Sequence, residues 1–72
     1  MQAVSKNEFI QIANEILKTL PDYCDAIEII NVRMEKHVPV LDIVPSKGYE
    51  ILWSKLSSEL IQIIDGKYKI ID

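Results

Sequence analysis

The sequence predicts an α+β two-layer sandwich in which two helices cover one face of a three-stranded mixed sheet. An apolar stripe at helical spacing runs through residues 46–66, and a second one follows Ser5. Three segments rich in β-branched residues lie between and after these stripes. The resulting order is α-β-β-α-β. Because 72 residues suffice for one domain, we expect residues 1–72 to form a single small α+β domain.

The first helix has a clear start and end in the sequence. Ser5 is followed three residues later by Glu8, so each side chain can bind the other residue's backbone N–H in a capping box. Val4 and Phe9 occupy the positions of a hydrophobic staple around this cap. Pro21 ends the helix, because the residue before a proline is pushed out of the helical conformation.

The second helix is expected over residues 46–66. Ser46 is its predicted N-cap, and Gly66 follows its last turn, where a positive φ is usually required. The predicted apolar stripe is made of Tyr49, Leu52, Leu56, Leu60 and Ile63, with Trp53 and Ile64 at its margin.

Residues 26–34 and 37–44 are predicted to form an antiparallel hairpin with its tip at Glu35 and Lys36. Pro39 cannot donate to a ladder, so the second strand lies at an edge or has a bulge. Residues 67–72 form a short third strand, and residues 1–4 are a lead-in. The first strand is the most apolar, which puts it in the middle of a sheet with spatial order 2-1-3. The second and third strands are parallel through a right-handed crossover.

This arrangement leaves one face of the sheet without a helix. One face of the first strand carries Ile27 and Ile29, and the other carries Ile30 and Val32. Whichever pair points away from the helices faces water or a partner. If Glu28 lies on the solvent side, Ile27 and Ile29 belong to the core instead, and we favour a solvated Glu28.

A second candidate surface is the flank of the long helix. This flank is either buried against the first helix or exposed as an apolar groove for self-association or a partner. The candidate partner-binding residues of both surfaces together are Ile27, Ile29, Trp53, Ile61 and Ile64.

The sequence contains few residues of the types that catalyse reactions or bind metals. His37 is the only histidine and Cys24 the only cysteine, so no histidine pair or cysteine cluster is available for a metal. Cys24 has no CxxC partner that would activate its thiol. Lys47 and Gly48 stand at a helix start, where anions can bind, but capping explains them equally well. We therefore expect no cofactor, no metal and no enzymatic activity.

Eleven acidic and eight basic residues give a formal net charge of −3, which argues against a nucleic-acid surface. No apolar run approaches the ~18 residues of a membrane span, and no signal peptide is recognisable. These features favour a small acidic cytoplasmic protein-interaction module: an adaptor, a regulatory subunit or an inhibitor that binds a protein partner as a monomer or a homodimer. The alternative is a nucleic-acid- or ribosome-associated domain that uses Lys36, Lys47, Lys67 and Lys69.

Overall fold

The computed structural model describes residues 1–45 and 47–71 and has an α+β fold with two helices and four strands. The elements in chain order are β1 (Gln2–Val4), α1 (Lys6–Leu17), β2 (Glu28–Glu35), β3 (Val38–Val44), α2 (Glu50–Ile64) and β4 (Tyr68–Ile70). In these residues the strands form two small sheets: β1 pairs with β4 in parallel, and β2 pairs with β3 antiparallel.

The prediction of a three-stranded sheet with order 2-1-3 is therefore wrong. The expected lead-in forms a strand, β1, and β4 pairs with it instead of with β2. On the edge of β2 that does not face β3, the side chain of Asn14 hydrogen-bonds to the backbone of Ile29. The Ile29 N–H donates to Asn14 Oδ1, and Asn14 Nδ2 donates to the Ile29 carbonyl, both at 2.9 Å. A side-chain amide offers the same donor and acceptor as a peptide group, so Asn14 takes the place of a neighbouring strand there.

The capping box of α1 is confirmed. The Glu8 N–H donates to Ser5 Oγ at 3.1 Å, and the Ser5 N–H donates to Glu8 Oε1 at 3.0 Å. Val4 and Phe9, the two residues of the staple, are both buried in the core. The helix ends at Leu17, earlier than Pro21 alone requires.

The second helix begins at Glu50, later than predicted, with Tyr49 at its N-cap position. Ser46, the predicted cap, lies outside the described residues. The positive φ of Gly66, +75°, is confirmed. The apolar stripe is rotated from the expected one. Ile63 is partly exposed, whereas Leu56, Leu60 and Ile64 are buried.

The hairpin is confirmed, with its turn one residue later than predicted. Lys36 and His37 form the tip and have φ values of +50° and +69°. Two consecutive positive φ angles are typical of the type I′ turn, which matches the twist of the strands it joins.

A β-bulge at Ile30 decides which residues of β2 face the core. Ile29 is opposite Ile43 and Asn31 is opposite Asp42, so Ile30 is the extra residue. The extra residue breaks strict alternation, and Ile27, Ile29 and Val32 are all buried. Glu28 is exposed, as favoured.

The expected uncovered apolar face is not present in the predicted form. At the centre of the outer face of β2 and β3, Arg33 binds Asp42 through Nε and Nη2, each at 3.2 Å. Asn31 also donates to Asp42, at 3.3 Å. Exposed apolar side chains of the same hairpin, Ile30, Val38 and Val44, accompany this polar network, so the hairpin surface is mixed and not uniformly apolar.

One hydrophobic cluster joins both sheets and both helices. α1 packs on β2 and also contacts α2 and β4. The fully buried members include Val4, Leu17, Ile29, Val32, Leu56 and Leu60. Tyr68 and Ile70 of β4 pack against this cluster and are half-buried, and the Tyr68 ring meets Phe9 edge-on at 6.3 Å between centroids.

Candidate interaction groove

An open groove of about 1050 Å³ separates the tip of the β2–β3 hairpin from β4. One wall is the hairpin end, with Met34, Lys36, His37, Val38 and Pro39; the other is Tyr68, Lys69 and Ile70, and the remaining lining residues are Met1, Phe9, Ile61, Ile64, Asp65 and Gly66. We call this surface the tip groove. Its walls come from elements far apart in sequence, which meet because α2 returns the chain to the hairpin tip.

The tip groove gathers exposed apolar side chains. Met34 and Val38 are 53% and 54% exposed, and Met1 is more exposed still. Beneath them, Phe9 and Ile64 are buried, so the groove reaches down to the core. Isolated apolar residues on a surface need no explanation, whereas larger exposed apolar patches are typical of interaction sites.

The charged groups of the groove are mostly basic. Lys36 and Lys69 line it, with Asp65 as the acidic member, and His37 is a further polar residue. Each of these four residues is exposed. This local excess of positive charge contrasts with the net charge of −3 for the whole chain.

Some of the predicted partner-binding residues are buried in the core, and others are half-buried. Ile27 and Ile29 are 2% and 1% exposed, so neither is accessible to a partner of the folded chain. Ile64 is also buried and contributes to the floor of the tip groove. Of the alternatives left open for these three residues, the buried one therefore holds: Ile27 and Ile29 alternate with the solvated Glu28, and Ile64 lies on the buried stripe of α2.

Trp53 and Ile61 are half-buried. With Ser57 they border a second, smaller cavity of about 200 Å³, whose other side is Pro39, Val40 and Leu41 of β3. Ile61 lines both this cavity and the tip groove. It is therefore the member of the predicted set that remains closest to an accessible apolar surface.

Sequence reasoning missed Met34, Val38 and Tyr68. The signal for the first two was present, since apolar residues flank the polar hairpin tip on both sides. Tyr68 gives no such signal, because its position opposite the hairpin depends on pairing between β4 and β1.

The remaining candidate chemical groups are the potential metal ligands, the start of α2 and Lys55. Within the described residues, no three His, Cys, Asp or Glu side chains are grouped to hold a metal. At the start of α2, the Gly48 N–H donates to the Glu50 carboxylate at 2.5 Å, so this helix start has its own anionic partner. Lys55 pairs with Asp22 at 2.6 Å; this hydrogen bond, with the charge of Asp22, raises the pKa of Lys55.

No helix in residues 1–45 and 47–71 is long and apolar enough to cross a membrane. No family model, curated protein or solved structure shows a significant match to the chain.

Proposed function

We propose that this chain is a small acidic cytoplasmic interaction module that acts by binding another protein, with the tip groove as its binding surface. It acts as an adaptor, a regulatory subunit or an inhibitor. The observation that carries the proposal is the grouping of Met34, Val38 and Met1 around a concave site above the core. Covering these side chains removes apolar surface from water, which is the main driving force of most protein association.

The geometry favours a protein over a nucleic acid. A nucleic-acid site needs a basic stripe that follows many phosphates. The tip groove has two lysines, with Asp65 on the same surface and apolar side chains between them. Binding through this groove should therefore depend only weakly on salt, unlike nucleic-acid binding, which weakens steeply as counterions are released.

The test is a peptide selection followed by matched variants. Immobilised wild-type chain is used to select binders from a random peptide library, and affinities of the selected peptides are then measured. A Met34→Gln/Val38→Thr variant keeps the shape of both side chains but makes the groove polar. We expect it to lose roughly tenfold or more in affinity, equivalent to about 1.4 kcal/mol.

Ile51→Gln is the control, because Ile51 is 90% exposed on α2 and does not line the groove. It should bind the selected peptides as the wild type does. Circular dichroism establishes that all variants are folded. Equal binding by the groove variant and the control, or a failure to select any binder, would overturn the proposal.

A further inference from the structure

We infer that the occupant of the tip groove is an extended segment of another protein, with alternating apolar and acidic residues, that adds as a strand to the outer edge of β4. This inference rests on the proposed function and names the chemistry of the partner. It follows from the hydrogen bonding of β4, from the position of the groove along its edge, and from the charge on that edge.

The hydrogen bonds between β1 and β4 show which backbone groups remain available. The Gln2 N–H donates to the Lys67 carbonyl at 2.8 Å, and the Ile71 N–H donates to the Val4 carbonyl at 2.9 Å. In a parallel ladder, alternate residues of a strand bond to the same neighbour. Lys69 therefore also faces β1, and the N–H and C=O groups of Tyr68 and Ile70 point to the opposite edge.

That opposite edge borders the tip groove. Tyr68, Lys69 and Ile70 all line it, whereas none of the residues Gln2–Val4 of β1 does; Met1, directly before β1, lines the groove at the end of that strand. Successive side chains of a strand point to opposite faces, so a cavity over one face of a strand is lined by every second residue. Lining by three consecutive residues instead places the strand's edge along the groove.

The edges of β2 and β3 are each interrupted. Asn14 pairs with the free edge of β2 at Ile29. In β3, Val38 closes the two-residue turn opposite Glu35, so the next pair, Met34 and Pro39, is a non-bonded one. The backbone of Pro39 then faces outward, where it has no N–H to donate. Among the residues that the structure describes, no side chain hydrogen-bonds to the backbone of Tyr68 or Ile70, and neither residue is a proline.

The side chains of β4 specify the sequence of the added strand. Tyr68 and Ile70 pack against the core, so the partner's residues on that face should be apolar and enter the groove. Lys69 is exposed on the other face, so the residue beside it should be acidic. Opposite charges across a strand pair are favourable, and like charges directly opposite are unfavourable.

The same lysine argues against a second copy of this chain as the occupant. Two β4 edges paired antiparallel about a two-fold axis, with Tyr68 opposite Ile70, would place Lys69 opposite Lys69. That arrangement brings two ammonium groups together at the centre of a three-residue strand. A carboxylate-bearing partner removes this repulsion. Lys69 thus disfavours pairing of two β4 edges with each other and favours an acidic partner strand.

The experiment uses the full chain and synthetic nine-residue peptides that alternate valine with glutamate, together with counterparts that alternate valine with lysine. We expect the glutamate peptide to bind at least tenfold more tightly, and Lys69→Glu to reverse this order. Hydrogen exchange of the Tyr68 and Ile70 amides should slow at least tenfold on binding. The Ala3 amide, on the outer edge of β1, is the internal control and should not change.

N-methylated peptides test the strand geometry without altering the protein. Methylating alternate N–H groups should abolish binding in one register and spare it in the other, because only one set faces β4. Equal affinity for the two charge patterns, unchanged exchange at Tyr68 and Ile70, or no binding up to about 1 mM would overturn the inference. If library peptides still need Met34 and Val38 in that case, the proposed function stands and strand addition does not.

Discussion

Replacing Asn14 by alanine is expected to destabilise the fold substantially, although Asn14 lies on a helix that alanine favours. The change removes two hydrogen bonds of 2.9 Å and leaves the N–H and carbonyl of Ile29 without those partners. Ile29 is 1% exposed, so water has little access to replace them. The Asn14 side chain thus connects α1 to β2 at the edge where the predicted third strand would have paired.

The expected loss is about 2 kcal/mol. Leaving a buried donor or acceptor unsatisfied costs about 1–3 kcal/mol per group. Because the bonds are only part-buried, we take about 1.3 kcal/mol for each of the two Ile29 groups, near the low end of that range. The better helix propensity of alanine raises the free energy of unfolding by about 0.5 kcal/mol and offsets part of this loss. In a chain of this size, a loss of 2 kcal/mol corresponds to a fall of about 10 °C in Tm. The loss in free energy of unfolding is measured by urea unfolding, followed by Trp53 fluorescence. The fall in Tm is measured by thermal unfolding, followed by circular dichroism.

Gln11→Ala is the matched control, because Gln11 is exposed on the same helix. It should leave stability unchanged or slightly raised. A loss below about 0.5 kcal/mol for Asn14→Ala, the usual range of surface substitutions, would refute the role given to Asn14.

Asn14→Asp adds a pH signature. An ionised carboxylate can accept from the Ile29 N–H but repels the Ile29 carbonyl, to which Asn14 Nδ2 donates in the native chain. Protonation supplies the missing donor, so the pKa of the introduced carboxyl should be higher in the folded than in the unfolded chain. The folded state then holds more protons between the two pKa values, and stability falls as pH rises through that window. Asn14→Ala should show no such dependence relative to the wild type.

Three further outcomes are expected. Replacing Lys36 and His37 by Asn and Gly should stabilise the chain by about 1 kcal/mol, because both positions have positive φ; an Asn-Ala pair at the same place is the control and should gain less in urea unfolding. Deleting Ile30 should cost little, because the bulge residue is exposed and its removal restores regular alternation, whereas deleting Val32 should abolish cooperative thermal unfolding. Ile29→Asp should destabilise by about 3 kcal/mol or more through an unpaired buried charge, and Ile30→Asp by less than about 0.5 kcal/mol. Similar midpoints for the last two variants would contradict the assignment of core and solvent faces on β2.

Most of the candidate site was not predictable from the sequence. Ile61 was identified as a surface residue, and it does border the tip groove. Ile27 and Ile29 were candidates for the partner-binding surface, but they alternate with the solvated Glu28 and are buried, because the face of the strand that is covered depends on where α1 packs. The groove itself forms between the hairpin tip and β4, which are separated by the whole of α2. No local pattern shows that these two segments meet.

The amino-acid sequence by itself determined those features whose physics is local. The Ser5–Glu8 capping box, the edge position of the strand with Pro39 and the positive φ of Gly66 each depend on a few neighbouring residues. Tertiary structure alone decided the pairing of β1 with β4 and the use of Asn14 as a substitute strand. A strand edge accepts any correctly placed donor and acceptor, from backbone or side chain. Which partner it takes is settled only when distant segments compete for it in three dimensions.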